Sequence, residues 1–208
     1  MDDPLSGLRT PQQVCNFRGN QLRESNLPSG IILDVACGGA EPLISAVFAT
    51  KKKGIGIELN PKRAKIASQN VKQSGAEITI QCRDSLKGPS GEFPTSVAVL
   101  LFDPERPRAG FRSDIMSLNP PVEKIIETWS TVLEQDSAVL IDLPPRLSET
   151  DRKHMKKEIS SFLPNHLGTW EFLSRGGSRV DRLMLHFGPT ASLKQHRCVR
   201  LNFDNSFS

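Results

Sequence analysis

The stretch Ile31-Ile32-Leu33-Asp34-Val35-Ala36-Cys37-Gly38-Gly39-Ala40 decides the architecture. Ile31 to Ala36 is apolar apart from one acid and reads as a buried strand. It runs into a loop of small residues, where glycines without a Cβ let the backbone approach a ligand closely. Pro42 to Thr50 then carries Leu43, Ile44, Ala46 and Val47 at helical spacing, with the proline tolerated in a first turn. A strand, a tight small-residue loop and a helix open a βαβ unit.

The same alternation continues downstream. Gly54 to Glu58 is a second strand, Pro61 to Ser74 a helix closed by Gly75, and Ile78 to Cys82 a third strand. Val97 to Asp103 is a fourth strand, apolar along nearly its whole length, as expected where helices cover both faces of a parallel sheet. Pro121 to Leu133 is expected to be helical, Ala138 to Leu143 a fifth strand, and Ser148 to Phe162 a charged helix with Ser148 as its N-cap. Thr169 to Ser174 and Arg179 to Phe187 flank Arg175-Gly176-Gly177-Ser178 and read as an antiparallel hairpin.

The expected fold is therefore α/β and Rossmann-like over residues 30–188. It has a mostly parallel seven-stranded sheet, helices on both faces and a C-terminal antiparallel hairpin. Residues 1–29 form a helical lead-in. Residues 189–208 form a polar tail in which Val199, Leu201 and Phe203 alternate weakly, as in an edge strand.

Composition bounds the function. With 37% hydrophobic and 24% charged residues in 208, the chain is an ordinary globular domain. Its longest apolar run, Val97 to Phe102, is too short to cross a bilayer. The acidic start Met1-Asp2-Asp3-Pro4 does not resemble a secretory signal, so a cytoplasmic protein is expected. Cys15, Cys37, Cys82 and Cys198 are scattered without a CxxC pair, which suggests neither a zinc or other metal site nor a disulfide framework. The net charge of +4 permits a polyanionic partner. None of His154, His166, His186 or His196 falls where a catalytic base is needed, and all four are expected to be structural.

In open α/β sheets ligands bind beyond the carboxyl ends of the strands. Four acids stand there: Asp34, Glu58, Asp84 and Asp103 close the first four strands in turn. A carboxylate at Glu58 can accept hydrogen bonds from both hydroxyls of a ribose. Each acid alone has a plainer use, in fixing its own turn or capping the next helix; the set of four points to a nucleoside-type ligand. A dinucleotide fold is disfavoured because Gly38-Gly39-Ala40-Glu41-Pro42 lacks the Gly-x-Gly-x-x-Gly spacing.

These motifs resemble those of class I S-adenosylmethionine-dependent methyltransferases. Asp34 to Ala40 resembles their glycine-rich first motif, Gly54 to Glu58 their second, and Asn60 to Asn70 the helix that follows the ribose-binding acid. Arg18 in Asn16-Phe17-Arg18-Gly19-Asn20, with the turn Asp103-Pro104-Glu105-Arg106, is similar to a narrower group, the THUMP-like methyltransferases. The resemblance implies S-adenosylmethionine as cofactor, held by Asp34, Ala36, Cys37, Gly38, Glu58, Leu59, Asp84 and Ser85. It also implies that Asp103 and Pro104 orient an amine nucleophile. Two positions depart from the pattern: Ala40 replaces a usual glycine, and Glu41-Pro42 follow where small residues are common. Both are expected to weaken cofactor binding.

The acceptor side is marked by arginine. Arg106, Arg108 and Arg112 follow the fourth strand, Arg146 the fifth, and Arg175 and Arg179 flank the hairpin turn. Guanidinium groups suit phosphate, so these six are the expected contacts to RNA (tRNA or rRNA) or another anionic substrate. Pairing to Glu105 and Asp181 is the alternative use of some of them. Asp103-Pro104 continues with Glu105-Arg106 rather than proline and an aromatic, leaving Phe111 as the loop's only ring for stacking on a base. A methyltransferase for a small anionic metabolite or a protein, and a non-catalytic binding module on a decayed methyltransferase fold, are the competing expectations.

Overall fold

The computed structural model describes residues 9–91, 93, 96–106, 115–176, 179–202 and 207. The strands are β1 (Ile31–Asp34), β2 (Gly54–Glu58), β3 (Ile78–Cys82), β4 (Val97–Phe102), β5 (Leu133–Leu143), β6 (Gly168–Ser174), β7 (Arg182–Phe187) and β8 (His196–Arg200). They form one sheet in the order β3-β2-β1-β4-β5-β7-β6-β8. Every pairing from β3 through β5 is parallel, β7 is antiparallel to both β5 and β6, and β8 is parallel to β6. The order reverses between β1 and β4, so a crevice opens at their carboxyl ends. The sheet has eight strands rather than seven, because the weakly alternating tail adds β8 at the edge.

The helices are α1 (Gln12–Glu24), α2 (Glu41–Thr50), α3 (Pro61–Ser74), α4 (Val122–Trp129) and α5 (Glu149–Phe162). Neighbouring side chains along a strand point to opposite faces, and each face has its own core. Ile32, Val99, Leu101 and Leu140 pack with Leu22, Leu43, Val47 and Ala67 from α1, α2 and α3. Leu33, Leu100, Ile141 and Leu185 pack with Ile125, Trp129, Met155 and Ile159 from α4 and α5. Among the described residues no helix is long and apolar enough to cross a membrane.

Local signals set the helix ends. Asn60 accepts the Lys62 and Arg63 N–H groups at the start of α3, and Gly75 closes it at φ 72°. Ser148 caps α5 by accepting from the Asp151 N–H. The expected helix over Pro121 to Leu133 is shorter: α4 ends at Trp129, Ser130–Val132 form a single tight turn, and β5 already begins at Leu133. Similarly β7 starts at Arg182 rather than Arg179, because Asp181 accepts the Arg175 N–H at 2.8 Å and folds that stretch into the turn.

The hairpin and tail are tied to α1 by a buried polar cluster. Glu171 accepts from Gln21 Nε2 and Arg197 Nε, both at 2.8 Å, while His186 lies 3.5 Å from its other oxygen. Burial opposes ionisation of Glu171, but His186, Arg197 and Gln21 outweigh it and hold the acid down to about 2. His186 is fully buried and its ring is also held by Thr190, which makes it structural.

Candidate functional site

The loop after β1 is held open by its own backbone. Asp34 Oδ1 accepts the Ala36 N–H at 3.2 Å, and the Cys37 N–H bonds to the Ile57 carbonyl at 2.9 Å. Gly38 sits at φ 52°, and its N–H donates to Glu58 Oε2 at 3.0 Å; Glu58 Oε1 accepts the Asn60 N–H at 2.8 Å. Glu58 is thus both a loop clamp and the opening of the next helix, and each oxygen keeps a second lone pair. Asp84 caps a single turn by accepting the Leu86 N–H at 2.9 Å. Ser85 is buried, and its carbonyl accepts the Trp129 indole N–H at 3.0 Å. Leu59, by contrast, is 65% exposed.

The departures at Ala40 and Glu41 are absorbed locally. Ala40 adopts φ 67° and is completely buried, its methyl group packed in the core with Leu43 and Ala46. The Glu41 carboxylate folds back against Gly39 and pairs with Arg9 at 3.6 Å. A branched side chain at the left-handed position would be strained and overpacked. Ala40→Val is therefore expected to destabilise the protein by about 2–4 kcal/mol in urea unfolding.

At the carboxyl ends of β4 and β5 the structure assembles more charge than the sequence motifs singled out. Arg18 from α1 and Asp142 from β5 form a buried ion pair at 2.6 Å. Arg182, at the start of β7, lies 3.8 Å from both Asp142 and Asp103. Arg106 reaches the other oxygen of Asp103 at 3.4 Å. Arg18, Asp34, Pro42, Asp103, Asp142 and Met184 line one narrow cleft of about 30 Å³. Withdrawal from water raises Asp34 to about 7, with the Asp103 and Glu58 charges adding to it. The same desolvation, then Asp142, raises Asp103 to about 6 against the pull of Arg106 and Arg182.

Of the six arginines read as substrate contacts, Arg106 turns inward to Asp103. Arg146 is exposed after β5, and Arg175 and Arg179 are exposed at the β6–β7 turn, on the same carboxyl edge. Asp181 lies 3.9 Å from Arg175 and 3.7 Å from Arg179, so it pairs that end as the alternative use foresaw. Glu105 instead takes Arg63 from α3, at 3.2 and 3.5 Å, reaching across the end of β1. Arg108, Arg112 and Phe111 lie outside the described residues.

Asp142 and Arg182 were not among the residues read from motifs. A lone acid inside the otherwise apolar Val139-Leu140-Ile141-Asp142-Leu143 is the signal that marks Asp142.

No family model matches the chain. A ribosomal protein L11 methyltransferase of Burkholderia cenocepacia is 34% identical over 83 residues, which is 40% of this chain and 27% of that protein. The match thus takes in little more than a quarter of that relative's length. A precorrin-6Y C5,15-methyltransferase of Geobacter metallireducens superposes with a TM-score of 0.59 at 13% identity, covering 87% of this chain and 89% of that one. An rRNA methylase of Streptococcus thermophilus does so with a TM-score of 0.59 at 12% identity, covering 87% and 98%. The fold is that of the class I S-adenosylmethionine-dependent methyltransferases.

Proposed function

We propose that this chain is an S-adenosylmethionine-dependent methyltransferase acting on RNA, with tRNA or rRNA as the substrate class. The observation that carries the reading is the ring of four acids, Asp34, Glu58, Asp84 and Asp103, closing β1, β2, β3 and the end of β4 around the switch point. The residues fit such a cofactor: Glu58 keeps a second lone pair on each oxygen beyond its two backbone bonds, Gly38 brings backbone close, and Leu59 leaves an exposed apolar surface for a base. Asp34, Ala36, Cys37, Gly38, Glu58, Leu59, Asp84 and Ser85 would hold it. When bound, S-adenosylmethionine supplies an electrophilic methyl carbon on a sulfonium, so the protein needs little acid–base apparatus.

The chain's own residues position the acceptor. Asp103 is held by Arg106 on one oxygen and Arg182 on the other, which fixes its carboxylate at the end of β4. With a value near 6, Asp103 is ionised at neutral pH and basic enough to accept a hydrogen bond from an incoming nitrogen. Pro104 is buried and stiffens the turn behind it. Arg146, Arg175 and Arg179, with Arg108 and Arg112, would meet phosphates. Arg18 and Asp103, which belong to the two stretches carrying the narrower likeness to THUMP-like enzymes, line the same cleft.

A protein acceptor is the second reading, favoured by the 83-residue likeness to the ribosomal protein L11 methyltransferase. Incubating the protein with methyl-labelled cofactor and separate RNA, ribosomal-protein and small-metabolite fractions tests both. Label in RNA, lowered by about 100-fold or more in Asp103→Ala, is the expected result. Label confined to protein would establish the second reading. No label in any fraction would contradict the enzymatic account.

A further inference from the structure

We propose that Arg18 receives the α-carboxylate of the bound cofactor, with Asp142 holding its guanidinium in place. The inference rests on the cofactor reading above. α1 packs beside α2 and delivers Arg18 to the cleft at the ends of β1, β4 and β5. Its side chain is only 8% exposed, and Nη1 is committed to Asp142 at 2.6 Å. Nε, also buried, has no hydrogen-bond partner, nor has Asp142 Oδ1.

A guanidinium presents five donors in a planar fork, so an edge spent on Asp142 leaves a second edge for another acceptor. Buried donors of this kind are rarely left unpaired without a reason in function. The cleft is mixed in sign: Asp34 and Asp103 line it as well as Arg18. A bare anion would meet those carboxylates. A zwitterion suits both signs, its carboxylate on Arg18 and its ammonium on Asp34. The amino-acid end of S-adenosylmethionine is such a group.

Calorimetric titrations with three ligands test this: S-adenosylmethionine, its decarboxylated analogue, and 5′-methylthioadenosine, which lacks the whole amino-acid end. The wild-type protein is expected to prefer S-adenosylmethionine over the decarboxylated analogue by more than about tenfold. The paired variant Arg18→Gln/Asp142→Asn, which leaves neither charge buried alone, is expected to lose that preference. Its affinity for methylthioadenosine should stay within about twofold of wild type.

Equal affinity of the wild type for the two sulfonium ligands would overturn the assignment while leaving the cofactor reading intact. So would a paired variant that keeps the preference. Should that variant fail to fold, the wild-type comparison still decides, and Arg18→Lys, which keeps the charge but not the fork, repeats it. Absence of binding by all three ligands to the folded wild type would remove the cofactor reading itself.

Discussion

Asp34→Asn is expected to stabilise the ligand-free protein by about 2–4 kcal/mol at pH 8 while weakening cofactor binding by about tenfold or more. Asp34 is 4% exposed, and its value of about 7 lies far above the ordinary 3.8. The folded state therefore retains a proton that the unfolded chain releases. The stability this group contributes is greatest below pH 3.8, falls as pH rises to about 7, and is constant above. Asn keeps the acceptor for the Ala36 N–H and removes the charge, so it flattens that slope. A smaller slope of the same sign remains from Asp103, raised to about 6. Urea unfolding of both proteins between pH 4 and pH 8 measures the effect. A variant less stable than wild type at pH 8 would contradict it. The opposite sign for binding follows from the proposed site, in which an ionised Asp34 would attract the cofactor's ammonium. A stability cost at a residue used for binding is a common trade-off in proteins.

The second large effect is at Glu58. Its carboxylate organises the Gly38 and Asn60 N–H groups and is the proposed acceptor for the ribose hydroxyls. Glu58→Ala is expected to lower affinity for S-adenosylmethionine by about 100-fold or more, since it removes two charge-assisted hydrogen bonds. Two backbone donors at the mouth of the crevice would also lose their acceptor, with a stability loss of about 1–3 kcal/mol. Affinity retained within threefold of wild type would place the ribose elsewhere.

Much of this is legible in the sequence alone. The apolar run of β4, the small-residue loop after Asp34 and the acids at strand ends are local signals, and local signals survive in a sequence. What was hidden depends on distance along the chain. Arg182 reads as an ordinary strand residue until β7 inserts between β5 and β6 and brings it to Asp103. Arg63 and Glu105 stand 42 residues apart and meet only because β1 lies between their strands. The boundary of α4 was overrun for a different reason: Glu134, Gln135 and Asp136 are exposed in the first half of β5, where polar residues carry no period that separates strand from helix. Nothing in the identity of Ala40 says that its methyl group turns into the core, where the structure places it.

Calorimetric titration of the folded wild-type protein with S-adenosylmethionine tests the central claim most directly. Micromolar, one-to-one binding is the predicted result. No detectable heat and no thermal shift at millimolar ligand would contradict the account and leave a methyltransferase fold put to another use.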